Sequence, residues 1–121
     1  MKRIEVVQNV GMTKGDFTEG IMRNKAFETE NLLFAHSRIA GGVKSGWHHH
    51  GDRDLYGFMV SGRLRIDYGE EGKESVVLQE GDFFHIPIGI IHRDVNPDIR
   101  GAEVISILLG LGPTTVNVPE P

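Results

Sequence analysis

Gly81-Asp82-Phe83-Phe84-His85-Ile86-Pro87-Ile88-Gly89-Ile90-Ile91-His92-Arg93-Asp94-Val95-Asn96 is the stretch that decides the fold. Pro87 fixes φ and Gly89 permits a positive φ, so the pair predicts a sharp turn between two short apolar segments. The turn sets His92 on the returning strand. An imidazole inside a barrel needs a partner such as a metal ion, a water molecule or a carboxylate.

The rest of the chain is also divided into short segments, because glycine, proline and asparagine interrupt it at fairly regular intervals. Most of these segments are too short for helices of ordinary length. Apolar and charged residues alternate from Arg63 to Tyr68, and a polar turn then leads to a β-branched run from Ser75 to Gln79, which predicts a hairpin. The stretch from Asp16 to Glu30 fits no single period and is interpreted as irregular or strand. The pattern predicts an all-β sandwich or barrel. Its other predicted strands are Ile4 to Val10, Leu32 to Ala40, Leu55 to Val60, Phe83 to Ile86, Ile90 to Val95 and Ala102 to Leu109.

Three consecutive histidines, His48 to His50, lie between Trp47 and Gly51. In an extended segment, side chains two residues apart share a face, so His48 and His50 are predicted to point the same way and His49 the opposite way. Two imidazoles placed like this can converge on one metal ion. His85 is a weaker candidate, which either lines the cavity as a hydrogen-bond donor or faces outward.

The first stretch reads G-x5-P-x-G-x2-H-x3-N and resembles the second conserved motif of the cupin superfamily without a departure. Gly42, His48, His50 and Gly62 resemble the first motif, G-x5-H-x-H-x(3,4)-E-x6-G. The resemblance covers about 55 residues and implies a small jelly-roll β-barrel in which the two motifs form facing strands. It also implies that His48, His50 and His92 meet at a metal ion in the barrel interior.

One position departs from the family pattern. The glutamate expected at position 55 is Leu55, which cannot coordinate a metal ion. Asp54 is one residue earlier, and it reaches the ion only if the strand contains a local bulge. Without a carboxylate, the site is a neutral three-histidine face that suits Fe, Mn, Ni or Zn. We therefore expect one divalent transition metal ion per chain, with His48, His50, His92 and Asp54 as candidate ligands.

Length and composition bound the remaining possibilities. The chain has 121 residues, of which 39% are hydrophobic and 25% charged, and it carries a net charge of −4. One domain is expected, with an extension at residues 1–30, a barrel at residues 31–112 and an extended C-terminal segment at residues 113–121. The acidic balance argues against nucleic acid as a partner, and no apolar run is long enough to span a membrane. The N-terminus has no apolar segment after its charges, so a cytoplasmic location is expected. With no cysteine there is no disulfide, thiolate ligand or thiol nucleophile.

Three functions fit these residues. The first is a metal-dependent enzyme with a small-molecule pocket, a dioxygenase or an isomerase of unspecified substrate. The second is a non-catalytic module that binds or senses a small ligand with a structural metal ion or none. The third is a barrel with an empty site that serves assembly. A homodimer is expected in addition, because Ile91 and Val95 are predicted to lie on an apolar outer face opposite His92.

Overall fold

The computed structural model describes residues 2–121, and its regular secondary structure is almost entirely β-strand, as the sequence pattern predicts. Two three-residue 3-10 turns, Asn9–Gly11 and Glu70–Gly72, are the helical elements of this range. The strands are β1 (Thr13–Lys14), β2 (Met22–Thr29), β3 (Leu32–Ile39), β4 (His48–His49), β5 (Arg53–Ser61), β6 (Leu64–Tyr68), β7 (Glu74–Leu78), β8 (Phe83–Ile86), β9 (His92–Val95), β10 (Ala102–Gly110) and β11 (Val116–Asn117).

These strands form two antiparallel sheets. The larger has the order β1-β2-β3-β10-β5-β8 and the smaller has the order β11-β4-β9-β6-β7. Buried side chains of both sheets contact one another, for example Met59 and Val104 of the larger sheet with Leu64 and Ile66 of the smaller. The sheets therefore pack face to face over one apolar interior, which is the predicted cupin-like jelly-roll architecture.

Strand β5 shows how the sequence builds this interior. Its residues alternate between buried and more exposed positions, so Leu55, Gly57 and Met59 face inward while Asp54 and Tyr56 face outward. Gly57 has a specific role, since a Cβ atom there would lie 2.3 Å from Cζ of Phe84. The ring of Phe84 therefore occupies the space that a larger residue at position 57 would need.

The motif residues of the second half hold the backbone. Gly89 has φ +73°, in the left-handed region, at the turn between β8 and β9. Asn96 is buried, and its Nδ2 donates hydrogen bonds to the carbonyl oxygens of Ile39 at 3.1 Å and Arg100 at 2.9 Å. The glycine and asparagine of this motif thus specify the loops on either side of β9, which carries His92 into the interior.

Two sequence-based expectations are wrong. The predicted strand from Ile4 to Val10 is absent, and both of these residues are almost fully exposed because no neighbouring strand pairs with the segment. Val95 is buried in its own chain, so it is not part of an exposed apolar outer face, whereas Ile91 is partly exposed.

The outer regions of the chain join the sheets. The stretch that fitted no period contains β2, which pairs with β3 along most of its length, so residues 13–29 form the edge of the larger sheet. The predicted extension begins at Met1, which lies outside the described residues. In the C-terminal segment, β11 pairs with β4 and so completes the smaller sheet. Within residues 2–121, no helix has the length and apolar character needed to cross a membrane.

Candidate metal centre

The three predicted histidine ligands meet inside the molecule. His48 on β4 pairs directly with His92 on β9, and His50 follows β4 by one residue. All three side chains are buried, with ring centroids 4.3–5.3 Å apart. One ring nitrogen of each lies within 4.8 Å of the corresponding nitrogens of the other two. Strand spacing and cross-strand pairing thus bring three imidazoles from two segments to one point.

Each imidazole is held in one tautomer by a backbone carbonyl. The Nδ1 atoms of His48, His50 and His92 lie 2.9, 2.8 and 2.9 Å from the carbonyl oxygens of Gly46, Thr114 and Ile90, respectively. A carbonyl oxygen only accepts hydrogen bonds, so each Nδ1 carries the proton and each Nε2 keeps a lone pair. This orientation is the one found around metal-bound histidines, whose other nitrogen donates to an oxygen. The donor set therefore fits a transition metal ion.

Burial keeps these imidazoles neutral. The pKa of His48 is lowered to about 2 and that of His50 to about 3, mainly by burial and next by the positive charge that His92 would carry. Burial also lowers the pKa of His92, against the raising effect of the Asp94 carboxylate. Neutral imidazole is the form that binds a metal ion, so the protein presents its three histidines ready for coordination.

Asp54, the fourth candidate ligand, is not brought to this cluster. It faces outward from β5, where its Oδ1 lies 2.7 Å from Nε2 of His85. The bulge that would turn it inward is absent, because β5 pairs with β10 in continuous register from Arg53 to Met59. Leu55 takes the inward position, where it is buried in the apolar wall. Among the residues that the structure describes, the histidine cluster contains no carboxylate.

The two other histidines of the motif regions lie outside the cluster. His49 accepts a hydrogen bond at Nδ1 from the backbone N–H of Gly51 at 2.9 Å, so it is engaged away from its two neighbours. His85 is exposed, and its ring stacks on Tyr56 with centroids 4.5 Å apart. Its outward alternative is therefore the one that the structure shows.

A cavity of about 50 Å³ adjoins the three imidazoles. One water molecule needs roughly 10–15 Å³ of such space, so the cavity suits a few water molecules or a small ligand. Most of its wall is aliphatic, from Leu33, Leu55, Ile86, Val104 and Leu108, with Phe84 beside them. Its charged wall residues are Asp16, Arg23, Lys25 and Asp94.

Two parts of this site were missed from the sequence. Arg23 and Lys25 enter the cavity from β2, where they follow Ile21 at every second position. This alternation could have indicated that both side chains face the interior. The apolar residues nearby in the sequence do not follow the same period, so the pattern is obscured. The carbonyl of Thr114 contacts His50 from a residue 64 positions away, and no local pattern announces such a contact.

The sequence profile of the cupin domain family matches residues 35–108. The chain belongs to the cupin family. The matched range contains all three histidines of the cluster and both motifs. The uncharacterized protein YdbB of Bacillus subtilis (strain 168) is 43% identical to this cupin over 47 residues, which are 39% of this chain. The aligned part spans 40% of the length of YdbB.

Solved structures give the same architecture. KdgF from Halomonas sp. superposes with a TM-score of 0.68 at 24% identity, over 89% of this cupin and 96% of KdgF. An uncharacterized conserved protein with a double-stranded β-helix domain from Klebsiella pneumoniae superposes with a TM-score of 0.74 at 17% identity, over 98% of each chain. At these identities the likeness shows the fold.

Proposed function

We propose that this cupin binds one divalent transition metal ion through the Nε2 atoms of His48, His50 and His92 and holds a small organic ligand in the adjoining cavity. The observation that carries the proposal is the set of three Nδ1–carbonyl hydrogen bonds, which leaves three Nε2 lone pairs in one buried cluster. An ion held there would supply Lewis-acid or oxygen chemistry. We propose dioxygenation or isomerisation of a small substrate as the reaction class.

The protein's own residues have separate tasks in such a reaction. The aliphatic wall around Leu55 leaves little room for water beside a bound ligand and strengthens the electrostatic interactions inside the cavity. The three carbonyl oxygens orient the imidazoles before any ligand arrives. The Asp94 carboxylate lines the same cavity and is the group placed to hold or move a proton next to His92.

A second candidate function is non-catalytic binding or sensing of a small ligand. The replacement of the family carboxylate by Leu55 favours it, because this wall position carries no group that could transfer a proton. In this alternative the same three imidazoles hold a structural ion or none, and the ligand occupies the cavity unchanged.

Elemental analysis of the purified protein, loaded separately with iron, manganese, nickel or zinc, tests the proposal. We expect about one ion per chain, and we expect His50→Ala and His92→Ala to lose it. His49→Ala is the matched control, since His49 is adjacent in sequence but outside the cluster. Retention of the ion by His50→Ala or His92→Ala, or its loss from His49→Ala only, would contradict the ligand set.

Turnover then separates the two candidate functions. Oxygen consumption over a panel of small organic substrates detects a dioxygenase, and anaerobic conversion of the same panel detects an isomerase. Binding of a panel member without conversion in either assay would favour the binding module.

A further inference from the structure

Arg23 lines the cavity with three of its five N–H donors unbonded to the described residues. Its Nη1 donates to Oγ1 of Thr18 at 2.7 Å and to the carbonyl oxygen of Asp16 at 3.3 Å. Among the described residues, no acceptor bonds its Nε or Nη2, and neither atom is sealed from solvent. Thr18 is itself buried and donates to Oδ1 of Asn117 at 2.7 Å, so the Nη1 end is firmly placed.

The unused edge is the one that holds carboxylates elsewhere in this chain. Arg63 binds the two oxygens of Asp98 through Nε and Nη2, at 3.1 and 2.7 Å. Arg65 binds the two oxygens of Asp67 through the same pair of atoms, at 2.7 and 3.2 Å. This edge presents two parallel N–H donors whose spacing matches a carboxylate. In Arg23 the same edge has no protein carboxylate to bind.

The charges around Arg23 do not neutralise it by contact. Burial lowers the pKa of Arg23, against the raising effect of the charges of Asp94 and Asp16. No carboxylate oxygen of the described residues lies within 4.0 Å of the Arg23 guanidinium. Lys25 is paired with Glu28 at 3.0 Å. Burial is the main reason that the histidines of the cluster are neutral, and the positive charge of Arg23 lowers the pKa of each of them further. Arg23 is thus electrostatically coupled to all three imidazoles.

We propose that the ligand of this cupin is a small organic acid whose carboxylate binds the Nε–Nη2 edge of Arg23 while another oxygen of the same molecule faces the three Nε2 atoms. This inference rests on the proposed function, because the second contact is to an ion held by the histidines. The cavity of about 50 Å³ has room for a ligand of a few heavy atoms beside the imidazoles. The aliphatic wall opposite the polar groups leaves the carboxylate and its neighbouring oxygen as the main anchoring atoms.

Calorimetric titration of the zinc-loaded protein tests this inference with two matched probes, glycolate and its neutral amide, glycolamide. We expect the wild type to bind glycolate more tightly. Because a charge-assisted pair is worth about 1.5–3 kcal/mol, Arg23→Gln should weaken glycolate binding by roughly 10- to 100-fold and leave glycolamide binding and zinc content unchanged. Arg23→Lys keeps the positive charge but not the pair of parallel N–H donors. Its affinity for glycolate should therefore lie between those of the wild type and Arg23→Gln. Arg100→Gln is the control, because Arg100 is exposed and remote from the cavity wall.

The outcomes separate this inference from the proposed function. Loss of zinc from His50→Ala combined with unchanged glycolate affinity in Arg23→Gln would overturn the carboxylate inference alone. Retention of zinc by His50→Ala would overturn the proposed function, and titration of glycolate into zinc-free protein would still report on Arg23. If Arg23→Gln loses its zinc, the comparison is made on the wild type alone. Equal wild-type affinities for glycolate and glycolamide would then overturn the inference. Phosphate binding more tightly than glycolate would also overturn it.

Discussion

Removing the C-terminal segment, residues 113–121, should weaken metal binding even though it contains none of the ligands. The segment provides the carbonyl of Thr114 that fixes Nδ1 of His50, and β11 that pairs with β4. It also bonds the loop at residues 16–18 through Thr114 and Asn117. Neither core cluster includes a residue of the segment, so the two sheets should still fold.

The expected size follows from what His50 loses. Without the 2.8 Å bond to Thr114, its ring can rotate and exchange tautomers, so the lone pair of Nε2 is no longer directed at the ion. Loss of such a hydrogen-bond partner costs about 10- to 100-fold in metal affinity. The truncated protein should also have a lower unfolding free energy, because it loses the β4–β11 pairing and the hydrogen bonds of Thr114, Asn117 and Val118.

Competition for zinc with a chromophoric chelator measures the affinity, and circular dichroism first confirms that the truncated protein is folded. Two controls isolate the carbonyl. Thr114→Ala keeps the backbone oxygen and loses only the hydroxyl contact with Asp16, and removal of residues 119–121 leaves the contacts of Thr114 and β11 intact. Both should bind zinc within a few-fold of the full chain. A folded truncated protein with full zinc affinity, or Thr114→Ala as weak as the truncation, would refute the reasoning.

Three further predictions concern the scaffold. Asp67→Asn should lower the unfolding free energy by about 1–2 kcal/mol in a urea titration, because the Asp67 carboxylate is buried against two arginines, one being Arg93 at 2.9 Å. Burial raises the pKa of Asp67, but the hydrogen bonds from the two arginines outweigh burial and lower the pKa overall. The stabilisation by the Asp67 carboxylate is therefore complete above about pH 4 and is lost as the pH falls below that value. Asp67→Asn should not show this loss of stability at acidic pH. Gly57→Ala should cost about 1–3 kcal/mol and reduce ligand affinity, since its Cβ would push the Phe84 ring towards the cavity, and ring displacement is checked by crystallography. We expect a homodimer through the outer face of the larger sheet, where Phe83 is 82% exposed. Phe83→Glu should dissociate it. The expectation is contradicted if the wild type, like the variant, sediments at the monomer mass of 13.4 kDa.

Local patterns predicted the second half of the fold well. The hairpin and the strands around the Pro87 turn were found within two residues, because turn residues and period-two alternation act over short distances. Alternation also fixed which of three adjacent histidines share a face. The same local signal failed at Ile4 to Val10, where the residues have strand character but no partner strand.

What the sequence did not reveal depends on distant contacts. The side of β5 on which Asp54 lies is set by its register with two neighbouring strands, and a spacing rule between motifs does not contain that register. Arg23 and Thr114 are parts of the site through contacts formed only when both ends of the described chain reach the cavity. Val95 was assigned to an outer face for the same reason, because burial depends on which sheet covers it.

The link between residues 16–18 and 114–117 has a consequence for timing. Its hydrogen bonds join positions 98–100 apart, the greatest separations among the side-chain bonds of the described residues. During synthesis, which proceeds from the amino terminus, the two sheets can begin to form while the wall around His50 is still missing. The tautomer of His50 is fixed only after Thr114 has left the ribosome and its carbonyl oxygen contacts Nδ1 of His50. An ion therefore binds in its final arrangement only after that point. A nascent chain would pass through a period in which its histidines are present but hold metal only loosely, and tight capture would begin once Thr114 contacts His50.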